Sequence, residues 1–408
     1  MFVPIASQRT SRTLEFGLYR DGDNNLDRVQ EKTIAQAIET SREDSQVEFT
    51  VEDTTASAGF GSRGKLHTED YRIADGRPGG VQVSRPHDMA ARSNLAAFVA
   101  STLENARTSH AAQTWIDLID HGAGDGGGLE ADHGSDIMRA DDMAGAIADG
   151  IARHAREHPE DAGRRVDGVV ANECLMATLG FSAALSHAGV RFLAASPETM
   201  LAPGVPTKVA HAIAQHVDDP RAMAKAVVDE TMTARYRVAC AGAYGPAAAF
   251  DVLDLEPKKI ASVEGAVKEL DDALAASARN AAARSAIRQD ARAIGGMVRF
   301  PHAERMPWQA DRPALALYST FAEDGRLPGA IRTAARNAAS AVGATVLAHR
   351  ESDDFSPFAH ADYSDAAGPT VHFPIRRNEV DPWAPRVSET DTAFYRSVDG
   401  ARVAGAVA

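Results

Sequence analysis

Apolar and polar residues alternate with period two in several short stretches of the first half. Between them the period lengthens to that of a helix. RTLEFGLYR (12–20) predicts a strand, which DGDNN then breaks, and Leu26 to about Thr40 predicts a helix. QVEFTVED (46–53) predicts a second strand, and YRI (71–73) with VQVS (81–84) a small hairpin around the DGRPGG turn. Asn94 to Ala106 reads as a helix. The most apolar strand candidate, TWIDLID (114–120), stops abruptly at HGAGDGGG. A helix is predicted over Asp141–His158, with Met143, Ile147 and Ile151 on one face at steps of four. The pattern then repeats: VDGVVA (166–171), the tripeptide NEC, a helix over Leu175–His187 and a strand at VRFLAAS (190–196). Strands separated by helices predict a mainly parallel α/β sheet covered on both faces.

The character changes near residue 208. Alanine dominates, and helices are predicted over 207–236, 256–292 and 326–346, with 255–292 as one long, charged surface helix. PTVHFPI (369–375) predicts a late strand. The chain thus divides into an α/β core at 1–208 and a helix-rich part at 209–408, whose late strands complete or cover that core.

Composition narrows the chemistry. The 408 residues are 44% hydrophobic, and 57 acidic against 43 basic residues give a net charge of −14. Such a surface argues against nucleic acid or an anionic membrane as the main partner. It suits basic substrates or a cation such as Ca²⁺. The two cysteines, Cys174 and Cys240, exclude a disulfide scaffold and a Cys₄ zinc site, and Cys240 reads as buried packing. No apolar run approaches the ~18–20 residues that span a bilayer. The opening segment has no signal-peptide pattern, so a soluble chain is expected.

In an open parallel sheet the chemistry gathers where strands end and loops begin. Two strands end in loaded loops, Asp120-His121-Gly122-Ala123-Gly124 and Asn172-Glu173-Cys174, one helix and one strand apart. Those ends can be neighbours. An imidazole promotes thiol deprotonation, and the predicted helix starting at Leu175 would set Cys174 near a positive dipole end. The glycines after His121 let backbone N–H groups approach an oxyanion.

Other motifs are weaker. DGDNNLDRVQEK (21–32) fails as an EF-hand, since Leu26 and Lys32 replace the required Gly and Glu; turn and capping chemistry explains it better. Asp125, Asp132 and Asp136 in the loop 121–136 are candidate ligands for Ca²⁺ or a hydrolytic metal, and a solvated acidic loop is the plainer reading. The arginines between the two loaded loops read as ordinary surface residues, with Arg139 and Arg164-Arg165 as candidate processing sites.

These segments resemble the clostripain-like cysteine peptidases, relatives of gingipains, legumains and caspases. Leu18 to Leu26 resembles the family's opening strand and turn. Asp120 to Gly124 resembles its histidine block, and Glu173 to Thr178 its nucleophile block. Ser196-Pro197-Glu198 with Pro203 to Pro206 resembles the loop shaping the specificity pocket. The resemblance implies a caspase-like three-layer α/β sandwich with a helix-rich C-terminal part. It also implies a His121/Cys174 dyad, an oxyanion hole from the N–H groups of Gly122 and Cys174, and a pocket near Asn172, Ser196 and Glu198. Relatives cleave after basic residues, often need Ca²⁺, and are usually exported. Asn172 stands where the family commonly carries an acid.

The function expected from the sequence is therefore a cysteine endopeptidase acting on peptides or proteins. No cofactor is demanded, although Ca²⁺ fits the resemblance. The alternatives are a catalytically weak relative used for binding or regulation, and a metal-dependent hydrolase built on loop 121–136.

Overall fold

A computed structural model describes residues 13–56, 66–84, 87–130, 137–238, 242–277, 279–295, 310–352, 363–375 and 393–398. The strands, in chain order, are β1 (Leu14–Gly22), β2 (Val47–Ala56), β3 (Leu66–Ala74), β4 (Arg77–Ser84), β5 (Gln113–Ile119), β6 (Gly128–Glu130), β7 (Ile137–Met138), β8 (Gly168–Asn172), β9 (Phe192–Ala195), β10 (Tyr236–Val238), β11 (Gly242–Tyr244), β12 (Ala249–Asp254), β13 (Asp311–Pro313), β14 (Val346–Glu351) and β15 (Thr370–His372). The helices are α1 (Asp27–Glu43), α2 (Arg92–Ser109), α3 (Ala140–Glu157), α4 (Leu179–His187), α5 (Val209–Ala214), α6 (Pro220–Thr233), α7 (Pro257–Ala276), α8 (Ala281–Ile294), α9 (Ala314–Glu323), α10 (Gly329–Gly343) and α11 (Ala393–Val398).

Nine strands form one sheet in the order β14-β12-β9-β8-β5-β1-β2-β3-β4. The five central strands run parallel. Two antiparallel strands extend each edge. The near-continuous apolar runs of β5 and β8 follow from this placement, because a central parallel strand is covered on both faces. On one face Ile116, Leu118, Val169 and Leu193 pack under α2, α3, α4, α7 and α10. On the other, Phe16, Trp115, Ile119 and Val170 pack under α1, α5 and α6. Trp115 stacks on Phe192 with ring centroids 5.7 Å apart. The result is the three-layer α/β sandwich expected from the alternation of elements.

The second half departs from its sequence pattern. β12 and β14 were not anticipated: each is a six-residue segment close to Ala-rich helices, and both join the main sheet. The late strand at 369–375 shortens to β15, which pairs with β13 in a separate ribbon. The long helix 256–292 is two helices. Asn280 starts α8 by accepting hydrogen bonds from the N–H groups of Ala282 and Ala283. α7 keeps a polar face outward and buries Ile260, Val263, Val267, Leu270 and Leu274 on the other. Cys240 lies outside the described residues. Among the described residues no helix is long and apolar enough to cross a membrane.

Candidate active site

The register of β5 on β8 pairs Trp115 with Gly168 and ends at Ile119 opposite Asn172. Both chains leave the sheet at the same level, one into Asp120-His121-Gly122 and the other into Glu173-Cys174. The loops press together there. A Cβ on Gly122 would lie 2.3 Å from the carbonyl oxygen of Cys174 and 2.9 Å from its nitrogen. Only glycine allows that approach. Among the described residues, the N–H groups of Gly122 and Cys174 donate no hydrogen bond within the protein, so both remain available to an incoming oxygen.

Cys174 sits in a turn, and the next residue, Leu175, holds a left-handed φ of 69°. Such a conformation costs a non-glycine residue on the order of 1–2 kcal/mol. The loop after β9 holds the turn in place: Leu175 N–H donates to Glu198 O (3.0 Å) and Ala177 N–H to Ser196 O (3.0 Å). Met200 N–H points at Cys174 Sγ from 3.2 Å.

The thiol is not activated by a helix end. α4 begins at Leu179, with Thr178 as its N-cap, so the dipole expected at Cys174 acts several residues away. Burial instead pushes the thiol up to about 11, with Glu198, Glu173 and Asp120 adding to the rise and the Met200 N–H opposing it. In the free protein Cys174 is therefore a neutral thiol.

The imidazole is placed by a residue that sequence reasoning left to turn chemistry. His121 Nε2 lies 2.7 Å from Asn25 Oδ1, in the loop after β1. Asn24 donates to Asp120 Oδ1, which also accepts His121 N–H at 2.6 Å. The Asp21–Asn25 run does make Asx turns, with Asp21 Oδ1 on Asp23 N–H and Asn24 Oδ1 on Leu26 N–H. Its asparagines also reach across to the adjacent strand end. The parallel neighbourhood of β1 and β5 was the available signal. Asn25→Ala should lower kcat about tenfold with KM little changed, because the imidazole loses its orienting partner. Steady-state kinetics on a peptide substrate would check this, and unchanged kcat would remove Asn25 from the site.

The predicted pocket residues are mostly structural. Asn172 is 5% exposed, and its side chain binds the loop after β9: Oδ1 accepts Val205 N–H at 2.9 Å. Gly204, at φ 82°, makes room for it, since a Cβ there would fall 1.8 Å from Asn172 Oδ1. Ser196 is fully buried, and its single hydroxyl proton lies between the carbonyls of Glu198 and Ala249, both 2.8 Å from Oγ. Neither side chain is exposed. Glu198 is also buried, and its Oε1 accepts the N–H and hydroxyl of Thr199 at 2.7 and 2.9 Å. Its charge nonetheless reaches the thiol.

The loop-metal expectation changes too. Asp125 is buried at the start of α4, where Oδ1 accepts the Thr178 hydroxyl and Phe181 N–H. Burial pushes its carboxyl up to about 7. It caps a helix and does not face the loop as a calcium ligand. Asp132 and Asp136 lie outside the described residues. A different group, Asp120, His121 and Glu130, brings three donor atoms within 4.8 Å of one another. Beneath it Glu173 is buried and accepts Leu129 N–H at 2.9 Å. Burial raises its carboxyl well above the usual range, as it does that of Asp120.

Comparison with solved structures gives the same architecture. A secreted C11 cysteine protease from Bacteroides thetaiotaomicron, "iotapain", superposes with a TM-score of 0.60 at 14% identity, covering 95% of this chain and 99% of that one. A secreted C11 cysteine protease of the same organism, in complex with an irreversible peptide inhibitor, gives 0.62 at 13% identity over the same shares of the two chains. The chain has the C11 cysteine protease fold. An inactive zymogen C11 protease from Parabacteroides distasonis gives 0.60 at 12% identity, covering 95% and 98%. No family model matches the sequence, and no curated protein does. The likeness to C11 proteases is therefore carried by the backbone.

Proposed function

We propose that the chain is a cysteine peptidase in which Cys174 and His121 cleave peptide bonds. The observation that carries this reading is the seating of Gly122 against Cys174 at adjoining strand ends of a C11-type sheet.

The chemistry follows from the groups present. Cys174 Sγ attacks the scissile carbonyl carbon as its proton passes to His121. The carbonyl oxygen becomes an oxyanion and takes the N–H groups of Gly122 and Cys174. The C–N bond breaks as the imidazolium returns the proton to the leaving amine, leaving a thioester. Water then adds to the thioester and gives its proton to His121. The C–S bond breaks, the acid product leaves, and the thiol recovers its proton. No step is routed through Ca²⁺.

The acidic surroundings bear on specificity. Of the carboxyls that raise the thiol, Glu198 acts most strongly, whereas burial favours the neutral forms of Glu173 and Asp120, so a cationic substrate side chain beside Glu198 offsets its field and eases thiolate formation. This favours cleavage after Arg or Lys, with Glu198 supplying the charge that Asn172 lacks. Fluorogenic peptides that differ only at P1 test it. Arg and Lys should exceed Ala, Leu and Asp in kcat/KM by at least about tenfold, and an equal or reversed ranking would discard basic preference.

Two observations keep other readings in view. A thiol near 11 suits a binding protein without turnover. The Asp120–His121–Glu130 group suits a metal hydrolase, whose activity would survive Cys174→Ala and disappear on chelation.

A further inference from the structure

At the opposite end of the sheet from Cys174, where β5 and β8 begin, lies a second cluster with chemistry of its own. α2 and α3 both end there. Glu104 near the end of α2 and His154 and His158 in the last turn and at the C-cap of α3 bring one donor atom each within 4.8 Å of one another. The two imidazoles stand at i and i+4, on one helical face, with ring centroids 5.0 Å apart.

We propose that this cluster is a divalent transition-metal site, suited to Zn²⁺, with Glu104, His154 and His158 as its protein ligands. Four observations support the assignment. His154 is 1% exposed, and its Nδ1 has no hydrogen-bond partner, an unusual state for a buried ring nitrogen. His158 Nε2 already faces Glu104 Oε2 at 3.0 Å, while its other nitrogen faces Glu160 at 3.3 Å. A carboxylate on the outer nitrogen is the usual way a ligating imidazole is oriented. Asp161, 3.2 Å from His154 Nε2, adds a carboxylate close to the cluster. The carbonyl ends of two helices also favour a cation there.

The donor set selects the metal. Two imidazoles and a carboxylate suit Zn²⁺ and its neighbours, whereas Ca²⁺ takes six to eight oxygens. Tetrahedral zinc ligands at about 2.0–2.1 Å stand about 3.3 Å from one another, so His158 Nε2 and Glu104 Oε2 at 3.0 Å are already near enough, and a pair close to the 4.8 Å limit would close in by about an ångström. The competing arrangement is an ion-pair network. Arg107 holds both oxygens of Glu104 at 2.7 and 2.8 Å, and Arg164 holds Asp161 at 2.6 Å. Under the proposal these arginines orient the carboxylates from outside, and Arg107 shares Glu104 with the ion.

A bound ion would fasten α3 to α2 immediately ahead of the connection into β8, the strand that leads to Cys174. It would do so without touching the candidate active site.

The test uses the full chain carrying Cys174→Ala, which removes the one described thiol as a competing ligand, stripped with a chelator and titrated with ZnCl₂. Bound metal is measured by elemental analysis after dialysis. One tightly held Zn²⁺ per chain is expected, retained in His121→Ala, displaced by no millimolar Ca²⁺, and weakened at least tenfold by His158→Ala. Should His158→Ala fail to fold, Glu104→Gln changes only the charge and should weaken binding in the same sense. The proposal is overturned if no zinc is held, if binding is indifferent to both changes, or if it disappears in His121→Ala and persists in His158→Ala, which would place the ion at the Asp120 cluster.

Discussion

Cys174→Ala should abolish peptide hydrolysis, with kcat falling by roughly 10⁴–10⁶-fold, as expected when the nucleophile of a unit that acts together is removed. The fold should be unaffected, because the change deletes one sulfur from a turn held by backbone hydrogen bonds to Ser196 and Glu198. A peptide electrophile should label the wild-type chain and leave the variant unlabelled. The acidity of the thiol adds a second expectation. With Cys174 pushed up to about 11, thiolate is scarce at neutral pH and grows about tenfold per pH unit. Alkylation of the free protein by iodoacetamide should therefore accelerate steadily from pH 7 to 10 instead of levelling off near neutrality. A plateau near pH 7 would show a pre-formed ion pair with His121 and contradict the neutral thiol. Undiminished hydrolysis by Cys174→Ala would end the cysteine-peptidase reading.

Gly122→Ala should be damaging by a different route. The added carbon meets the carbonyl oxygen of Cys174 at 2.3 Å. That atom belongs to the backbone and cannot rotate aside. The strands beneath are locked by their register, Ile119 opposite Asn172. The two loops must separate, which carries the imidazole and one oxyanion donor away from the sulfur. A displacement of about 1 Å costs on the order of 10²-fold in rate, and overpacking of this kind costs about 1–3 kcal/mol of stability. Gly163→Ala is the control, since nothing lies within 4 Å of the position a Cβ would take there. Activity and Tm that match the control would show the loops to be looser than the structure has them.

Much of the first half was readable because its pattern and its placement agree. β5 and β8 are mostly apolar and end in glycine-rich or polar loops, so the meeting of His121 and Cys174 blocks follows from strand adjacency. The asparagine run was only half legible. Local turn rules account for Asp21 and Asn24 bonding their own backbone, and no local rule indicates that Asn25 reaches His121 across the sheet. Asn172 misled for a similar reason: position relative to the cysteine suggested a pocket wall, whereas Gly204 lets the loop after β9 close over it. The second half hid its strands because β12 and its edge neighbour β14 are short segments among alanine-rich helices. β14 alternates weakly and is largely half-exposed. Helix breaks there depend on single capping residues such as Asn280.

The interleaving of the sheet sets a rule for anyone dividing this chain. β12 lies against β9, and β14 beyond it, so a fragment stopping near residue 208 would keep the cysteine and lose the ladder that closes its last strand. The bare rim of β9, with the apolar bed that α5 and α6 normally roof, would invite self-association and insoluble product. Expression and mutagenesis are best carried out on the undivided polypeptide.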